Sequence, residues 1–221
     1  MAFTATALLI IDIQRDFVEG GALAVPDGNA VVPKINELRT GLKNSLVIMS
    51  QDWHPQNHTS FYTNNAGAVP FSLVELPSGP QVMWPPHCVQ DSIGAEFIFG
   101  FHHHETDIHI QKGLNPSADS YSAFGDASPG HTMEQTHLEA TLHDNSINTV
   151  VVCGLALDYC VSYTAKDAAA AGFKTYVVLD ACRGISKESI DKEVKLMTDA
   201  GVIIVNTMQD LPAELLGTAR C

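Results

Sequence analysis

No stretch of this sequence approaches the ~20 consecutive apolar residues that a membrane-spanning helix needs. The apolar segment Ala7 to Ile11 ends at once in Asp12 and has no basic segment ahead of it, so it does not read as a signal peptide. Positive charge is scarce: 12 Lys and Arg stand against 25 Asp and Glu, a formal net charge of −13. A phosphate backbone or an anionic lipid surface would repel such a chain, so neither nucleic acid nor membrane is expected as a partner. Cysteines number five, an odd count without paired short spacing. That pattern fits free thiols in the reducing cytoplasm and not a disulfide framework. Internal repeats, low-complexity tracts and linkers are also missing. The expectation is one domain over residues 1–221, able to bury roughly 70% of its unfolded surface and to act on small, uncharged or weakly charged molecules.

What the chain does hold is a series of short apolar runs within an overall 45% hydrophobic content. "ALLIIDI" (Ala7 to Ile13) is too uniformly apolar for a half-exposed strand and reads as a buried parallel one. "SLVIMS" (Ser45 to Ser50), "DIHIQ" (Asp107 to Gln111), "TVVVC" (Thr149 to Cys153), "TYVVL" (Thr175 to Leu179) and "VIIVN" (Val202 to Asn206) repeat the signal. Helical patterns lie between them at Asn29 to Lys43, Met133 to Asp144, Asp158 to Ala171 and Lys187 to Asp199, the last opened by Ser186 as N-cap. Alternating strands and helices predict an α/β domain. Its six-stranded, mostly parallel sheet carries helices on both faces, a Rossmann-like three-layer arrangement. Residues 51–106 break the rhythm, yet Trp53, Phe61, Phe71, Trp84 and Phe97 argue for an ordered excursion that roofs a site.

Open parallel sheets bind ligands beyond the carboxyl ends of their strands, near the reversal of strand order. The sequence puts Asp12 there after the first strand, "QDWHPQNH" after the second, Lys112 after the third, and Gly154 and Cys160 after the fourth. Singly, each has a bland reading: a turn aspartate, a hydrogen-bonded loop histidine, a buried structural thiol. Unrelated residues have no reason to gather at the ligand-binding edge, however, so together they point to chemistry. Asp52 and His54, two apart in an extended segment, can aim a carboxylate oxygen and an imidazole nitrogen at one ion. His87, in the stiff "WPPHC" loop, offers a third ligand and leaves positions for water or substrate. His58 is a further ligand or an outer neighbour. His102 to His104 splay apart as a solvated loop, and His109 reads as a satisfied buried or edge residue. Among the thiols, Cys153 closes a buried strand, Cys88 adjoins a ligand candidate, and Cys182 and Cys221 have no reactive surroundings. Cys160 opens the helix expected from Asp158, where free N–H groups and the positive dipole end stabilise a thiolate and can face an oxyanion. A buried structural role for Cys160 remains the alternative.

Five motifs in order, spread over nearly the whole chain, carry a resemblance. They are "IIDIQRDF" followed by "GG" and "AV" (Ile10 to Val25), "SQDWHPQNHTSF" (Ser50 to Phe61), "WPPHCVQDSIGAEF" (Trp84 to Phe97), "QKGLNPSADSYSAF" (Gln111 to Phe124) and "VCGLALDYCVSYTAKDA" (Val152 to Ala168). With them the chain resembles the nicotinamidases of the isochorismatase-like cysteine hydrolases. Asp91 departs from an expected glycine, and Leu157 from threonine or valine. The resemblance implies hydrolysis of nicotinamide to nicotinic acid and ammonia, in NAD salvage, through a thioester on Cys160. Asp12 would move the proton, and Lys112 would hold Asp12 and the thiolate in place. The backbone N–H groups of Ala156 and Cys160 would meet the oxyanion, beside a cis peptide between Ala156 and Leu157. Asp52, His54 and His87 would hold zinc, or another divalent ion such as Fe or Mn, and Phe17 and Trp84 would sandwich the ring. A homo-oligomer is also implied. A relative acting on another small amide, or a non-catalytic metal-binding member of the fold, are the competing readings.

Overall fold

The uniform apolarity of the first run is satisfied only by burial on both faces, and no residue of Ala7 to Ile11 is more than 1% exposed. This run forms β1 (Thr6–Ile11) in a computed structural model that describes residues 5–42, 44–76, 79–125 and 135–217. The other strands are β2 (Leu46–Asp52), β3 (Leu73–Leu76), β4 (Gly79–Val82), β5 (Ile108–Lys112), β6 (Thr149–Leu155), β7 (Lys174–Arg183) and β8 (Ile203–Val205). Six of them make one sheet in the order β5-β2-β1-β6-β7-β8, with every pairing parallel. The helices are α1 (Val31–Gly41), α2 (Leu138–Asp144), α3 (Ser162–Ala170) and α4 (Lys187–Asp199). No helix among the described residues is long and apolar enough to cross a membrane.

Strand order fixes where a ligand can sit. From β1 the chain steps outward through β2 to β5, and from β6 it steps the opposite way through β7 to β8. Right-handed crossovers in opposite directions place α1 and the α3–α4 pair on opposite faces and open a crevice between the ends of β1 and β6. Gly154 makes that junction possible: its φ is +128°, and a Cβ there would lie 2.1 Å from the Ile11 carbonyl oxygen.

Several boundaries differ from the sequence reading. β2, β5, β6 and β7 run further at their carboxyl ends than expected, so Asp52 and Lys112 are strand residues and not loop residues. The second helix starts at Leu138, while Met133 and Glu134, which were expected to open it, lie outside the described residues, as does Cys221. The third helix starts at Ser162 and is preceded by a π-helical turn, Leu157–Val161, in which the Ala156 carbonyl accepts from the Tyr159 N–H at 3.0 Å and the Val161 N–H at 3.2 Å. α4 and its Ser186 cap are as expected, the Ser186 hydroxyl accepting from the Ser189 N–H. The 51–106 excursion is ordered by the antiparallel β3–β4 hairpin and by isolated backbone pairings such as Phe61 with Trp84 and His54 with Val89. Asp91, the departure from glycine, has φ +60°. Glycine takes that region without strain and Asp is among the few others that tolerate it, which accounts for both residue types there.

Candidate active site

Parallel register sets Asp52 opposite Lys112 on the last rung shared by β2 and β5. Each then points into the crevice beside Asp12, the first residue after β1. The Lys112 ammonium, with a side chain 0% exposed, lies 3.0 Å from Asp12 Oδ2. It also hydrogen-bonds Asp52 Oδ1 and reaches the Ser120 carbonyl at 3.3 Å and Cys160 Sγ at 3.4 Å. Ser50 fixes Asp12 from below: its hydroxyl donates to Oδ1 at 2.6 Å, and the Asp12 N–H donates to Ser50 Oγ at 3.2 Å. Among the described residues this buried oxygen has no partner in hydrogen-bond geometry, and it lies between the ammonium and the Cys160 thiol with accepting capacity to spare. A lone carboxylate acceptor beside a thiol can take that thiol's proton.

Charge at the crevice follows from burial and pairing. Burial raises the Asp12 pKa, and the nearby Lys112 ammonium only partly offsets it. Burial also lifts the Cys160 thiol well above its ordinary value, against the lowering influence of Lys112. Here the structure corrects the expectation of a thiolate stabilised by a helix terminus: Cys160 sits inside the π-helical turn, ahead of α3, and desolvation outweighs the nearby cation. Lys112 is held protonated, because Asp12, Asp52 and Cys160 together overcome its burial. The resting arrangement is therefore a neutral thiol, a cation and an acceptor carboxylate in mutual contact.

On the other side of Asp52 stand two histidines. Asp52 Oδ2 lies 3.5 Å from His54 Nε2 and 3.9 Å from His87 Nε2. His54 Nδ1 donates to the Gly113 carbonyl at 2.9 Å, and His87 Nδ1 to the Pro85 carbonyl at 2.8 Å. With Nδ1 pinned to a carbonyl, each ring presents an Nε2 lone pair to the same point, the orientation that metal-ligating imidazoles adopt. Burial depresses His87 to about 4, so its ring stays neutral. His54 is raised, because pairing with Asp52 outweighs its burial. Asp52 itself is lowered despite burial, held ionised by Lys112 and His54. One carboxylate oxygen and two imidazole nitrogens, all within 4.8 Å of one another, fit a divalent metal ion. The cluster of Asp12, Asp52 and Cys160 is equally tight, but it surrounds the Lys112 ammonium, which already supplies the positive charge. Gly113 permits the His54 placement: it has φ +67°, and a Cβ there would fall 2.3 Å from the His54 ring.

Between the thiol and the histidines lies a narrow pocket that opens to solvent. Phe17, Trp84, Asp52, His54, His87, Ala156 and Cys160 all line it, while Asp12 and Lys112 lie buried behind Cys160 and Asp52 and do not. The non-proline cis peptide is present one bond earlier than expected, between Leu155 and Ala156, where β6 ends. His58 is no ligand. Its Nδ1 pairs with Ser60 Oγ at 2.8 Å and its Nε2 with the Ala118 carbonyl at 3.1 Å, while its ring stacks on His54 with centroids 4.3 Å apart. His102 to His104 are exposed, and His109 is exposed on the edge strand β5.

Four participants escaped the sequence reading although they lie inside its motifs. Gln14, fully buried, accepts from the Asp52 N–H at 2.8 Å and donates to the Asp52 carbonyl at 2.8 Å, gripping that residue as a strand would. Asp119 and Tyr121 line the pocket, and Tyr121 accepts from the Trp84 indole N–H at 3.1 Å. Tyr159 adds an edge-on contact to Trp84, with centroids 5.1 Å apart. Their signal was proximity in sequence to a recognised motif; no periodicity marks them.

This fold and this edge define a class. Residues 6–209 match the isochorismatase domain family, and the chain belongs to that family. Within it, the sequence is 43% identical over 179 residues to a nicotinamidase of Acinetobacter baylyi (strain ATCC 33305 / BD413 / ADP1), covering 81% of each chain. The fold is similar to that of an Acinetobacter baumanii nicotinamidase and pyrazinamidase, with TM-score 0.87 and 38% identity over 96% of this chain and 100% of that one. A pyrazinamidase of Pyrococcus horikoshii in complex with zinc has TM-score 0.74 and 37% identity, covering 90% of this chain and 98% of that one.

Proposed function

We propose that this chain hydrolyses nicotinamide to nicotinic acid and ammonia, with Cys160 as nucleophile. The observation that carries the reading is the shared pocket: a thiol on one wall, backed by the buried Asp12 and Lys112, and a divalent-metal ligand set on the other. Cys160 attacks the carboxamide carbon as its proton passes to Asp12 Oδ2, the oxygen that no hydrogen bond occupies. Because burial raises Asp12, the carboxyl holds the proton long enough to deliver it to the departing ammonia. Lys112, in contact with both groups, stabilises the thiolate once it forms and keeps Asp12 aligned. The N–H groups of Ala156 and Cys160 receive the developing oxyanion. Water then hydrolyses the thioester, with Asp12 as base. Asp52, His54 and His87 would hold zinc, or another divalent ion, which would supply a Lewis-acidic contact for the pyridine nitrogen and so help orient the ring. Phe17 and Trp84 form the faces of the ring slot.

Ammonia release from four amides tests this reading. Nicotinamide, whose ring nitrogen is meta to the carboxamide, can reach both walls at once. Benzamide lacks that nitrogen. Misplacing a reacting atom by about 1 Å costs ~100-fold, so nicotinamide should exceed benzamide by at least that factor in kcat/KM. Pyrazinamide keeps the meta nitrogen and should be accepted, whereas picolinamide, with the nitrogen ortho, should be rejected nearly as strongly as benzamide. Equal turnover of nicotinamide and benzamide would remove the metal from substrate recognition and sink the assignment.

A further inference from the structure

Cys160 is bracketed by two residues that are both tied to α4. Asp158, two positions before it, is 3% exposed. Its carboxylate accepts from the Ile185 N–H at 3.0 and 3.1 Å, from the Ser186 N–H at 3.3 Å and from the Ser189 hydroxyl, all at the start of α4. Ser162, two positions after Cys160 and fully buried, donates its hydroxyl to Glu193 Oε2 at 2.6 Å, midway along the same helix. Lys166 donates to that same oxygen at 2.7 Å and neutralises it. The close approach of Asp158 depends on Gly184, where a Cβ would lie 2.8 Å from Asp158 Oδ1.

None of the residues of α4 lines the substrate pocket, although Ile185, just ahead of the helix and bonded to Asp158, does, so the Ser162–Glu193 anchor is the one that lies wholly outside it. What the two anchors hold is the π-helical turn, a wider and rarer winding than the α-helix and one with little intrinsic preference to persist. Swinging Cys160 away from Lys112 and Asp12 would require pulling a carboxylate off three donors or a hydroxyl off a buried glutamate, leaving buried polar groups unpaired. We infer that α4 is a positioning element for the nucleophile: Asp158 and the Ser162–Glu193 pair clamp the turn at both ends and fix the Cys160 thiol against Lys112 and Asp12. The inference rests on reading Cys160 as the nucleophile.

Asp158→Asn turns an amide NH₂ toward backbone donors, and Ser162→Ala removes the second anchor with minimal loss of volume. Each should lower kcat by about 10- to 100-fold. Ser162→Ala should leave KM within about twofold, since that side chain is outside the pocket. The rate of Cys160 alkylation by iodoacetamide should fall in parallel. Bound metal and a melting temperature well above the assay temperature should be retained. Ser162→Thr, which keeps the hydroxyl, should recover most of the rate. Asp191→Asn breaks an exposed pair with Lys187 on the same helix and should match the parent protein. Unchanged kcat and alkylation rate in folded Asp158→Asn and Ser162→Ala would overturn the clamp, as would a loss of kcat in Asp191→Asn equal to theirs. Cys160→Ala, run alongside, separates the two claims: an active Cys160→Ala protein refutes the nucleophile, whereas an inactive one beside fully active Asp158→Asn and Ser162→Ala refutes only the clamp.

Discussion

Cys153 in the sheet interior and Cys160 at the sheet's carboxyl edge are both buried, and burial raises both thiols well above the ordinary value. Exposure and acidity at rest do not distinguish them. The difference lies in their company. Among the described residues Cys153 has one side-chain hydrogen-bond partner, the Leu9 carbonyl at 3.8 Å, which can accept its proton weakly but cannot carry it off. Cys160 has a locked ammonium at 3.4 Å and a carboxylate with a free acceptor oxygen. Desolvation alone makes a thiol inert. The same desolvation with a cation and a base already in place makes proton transfer and attack a single local event, free of the cost of reorganising water.

The largest effect that tests this contrast is the loss of each sulfur. Cys160→Ala should lower kcat for nicotinamide by about 1000-fold or more, while the fold and bound metal persist. Substantial turnover in that variant would make a metal-activated water the leading alternative. Removing the cation should sharpen the comparison at intermediate size. Asp12 is already raised above 3.8 by burial, and Lys112 is what pulls it back. In Lys112→Met, therefore, Asp12 keeps its proton to higher pH, and the acid limb of kcat/KM moves upward along with a marked fall in rate. An acid limb that stayed in place would mean that Asp12 is not the group titrating there. The smallest effect belongs to the interior. Cys153→Ala should leave kcat unchanged and cost about 1–3 kcal/mol of stability by denaturant unfolding, as expected for trimming a small buried side chain.

How far the site could be read beforehand varies residue by residue. Asp52, His54 and His87 were legible because a D-x-H spacing in extended chain and a proline-stiffened histidine restrict geometry locally. Cys160 was legible as a candidate but not in its environment. Its expected place in the first turn of an α-helix turned out to be a π-helical turn, and its expected low pKa turned out to be high. Gln14 and Asp119 were illegible, since a buried glutamine that clamps Asp52 looks in sequence like any polar residue after a strand.

The sequence by itself determined the six strands, the parallel sheet and the edge at which reactive groups gather, because side-chain periodicity records burial over a few residues and needs no distant partner. Only the tertiary structure decided that Lys112 serves Asp12, Asp52 and Cys160 at once, that His58 is fully occupied by Ser60 and Ala118, and that α4 grips the turn around the thiol. Each of these is a contact between segments far apart along the chain. Its strength depends on distances and on excluded water, which exist only once the sheet has brought those segments together.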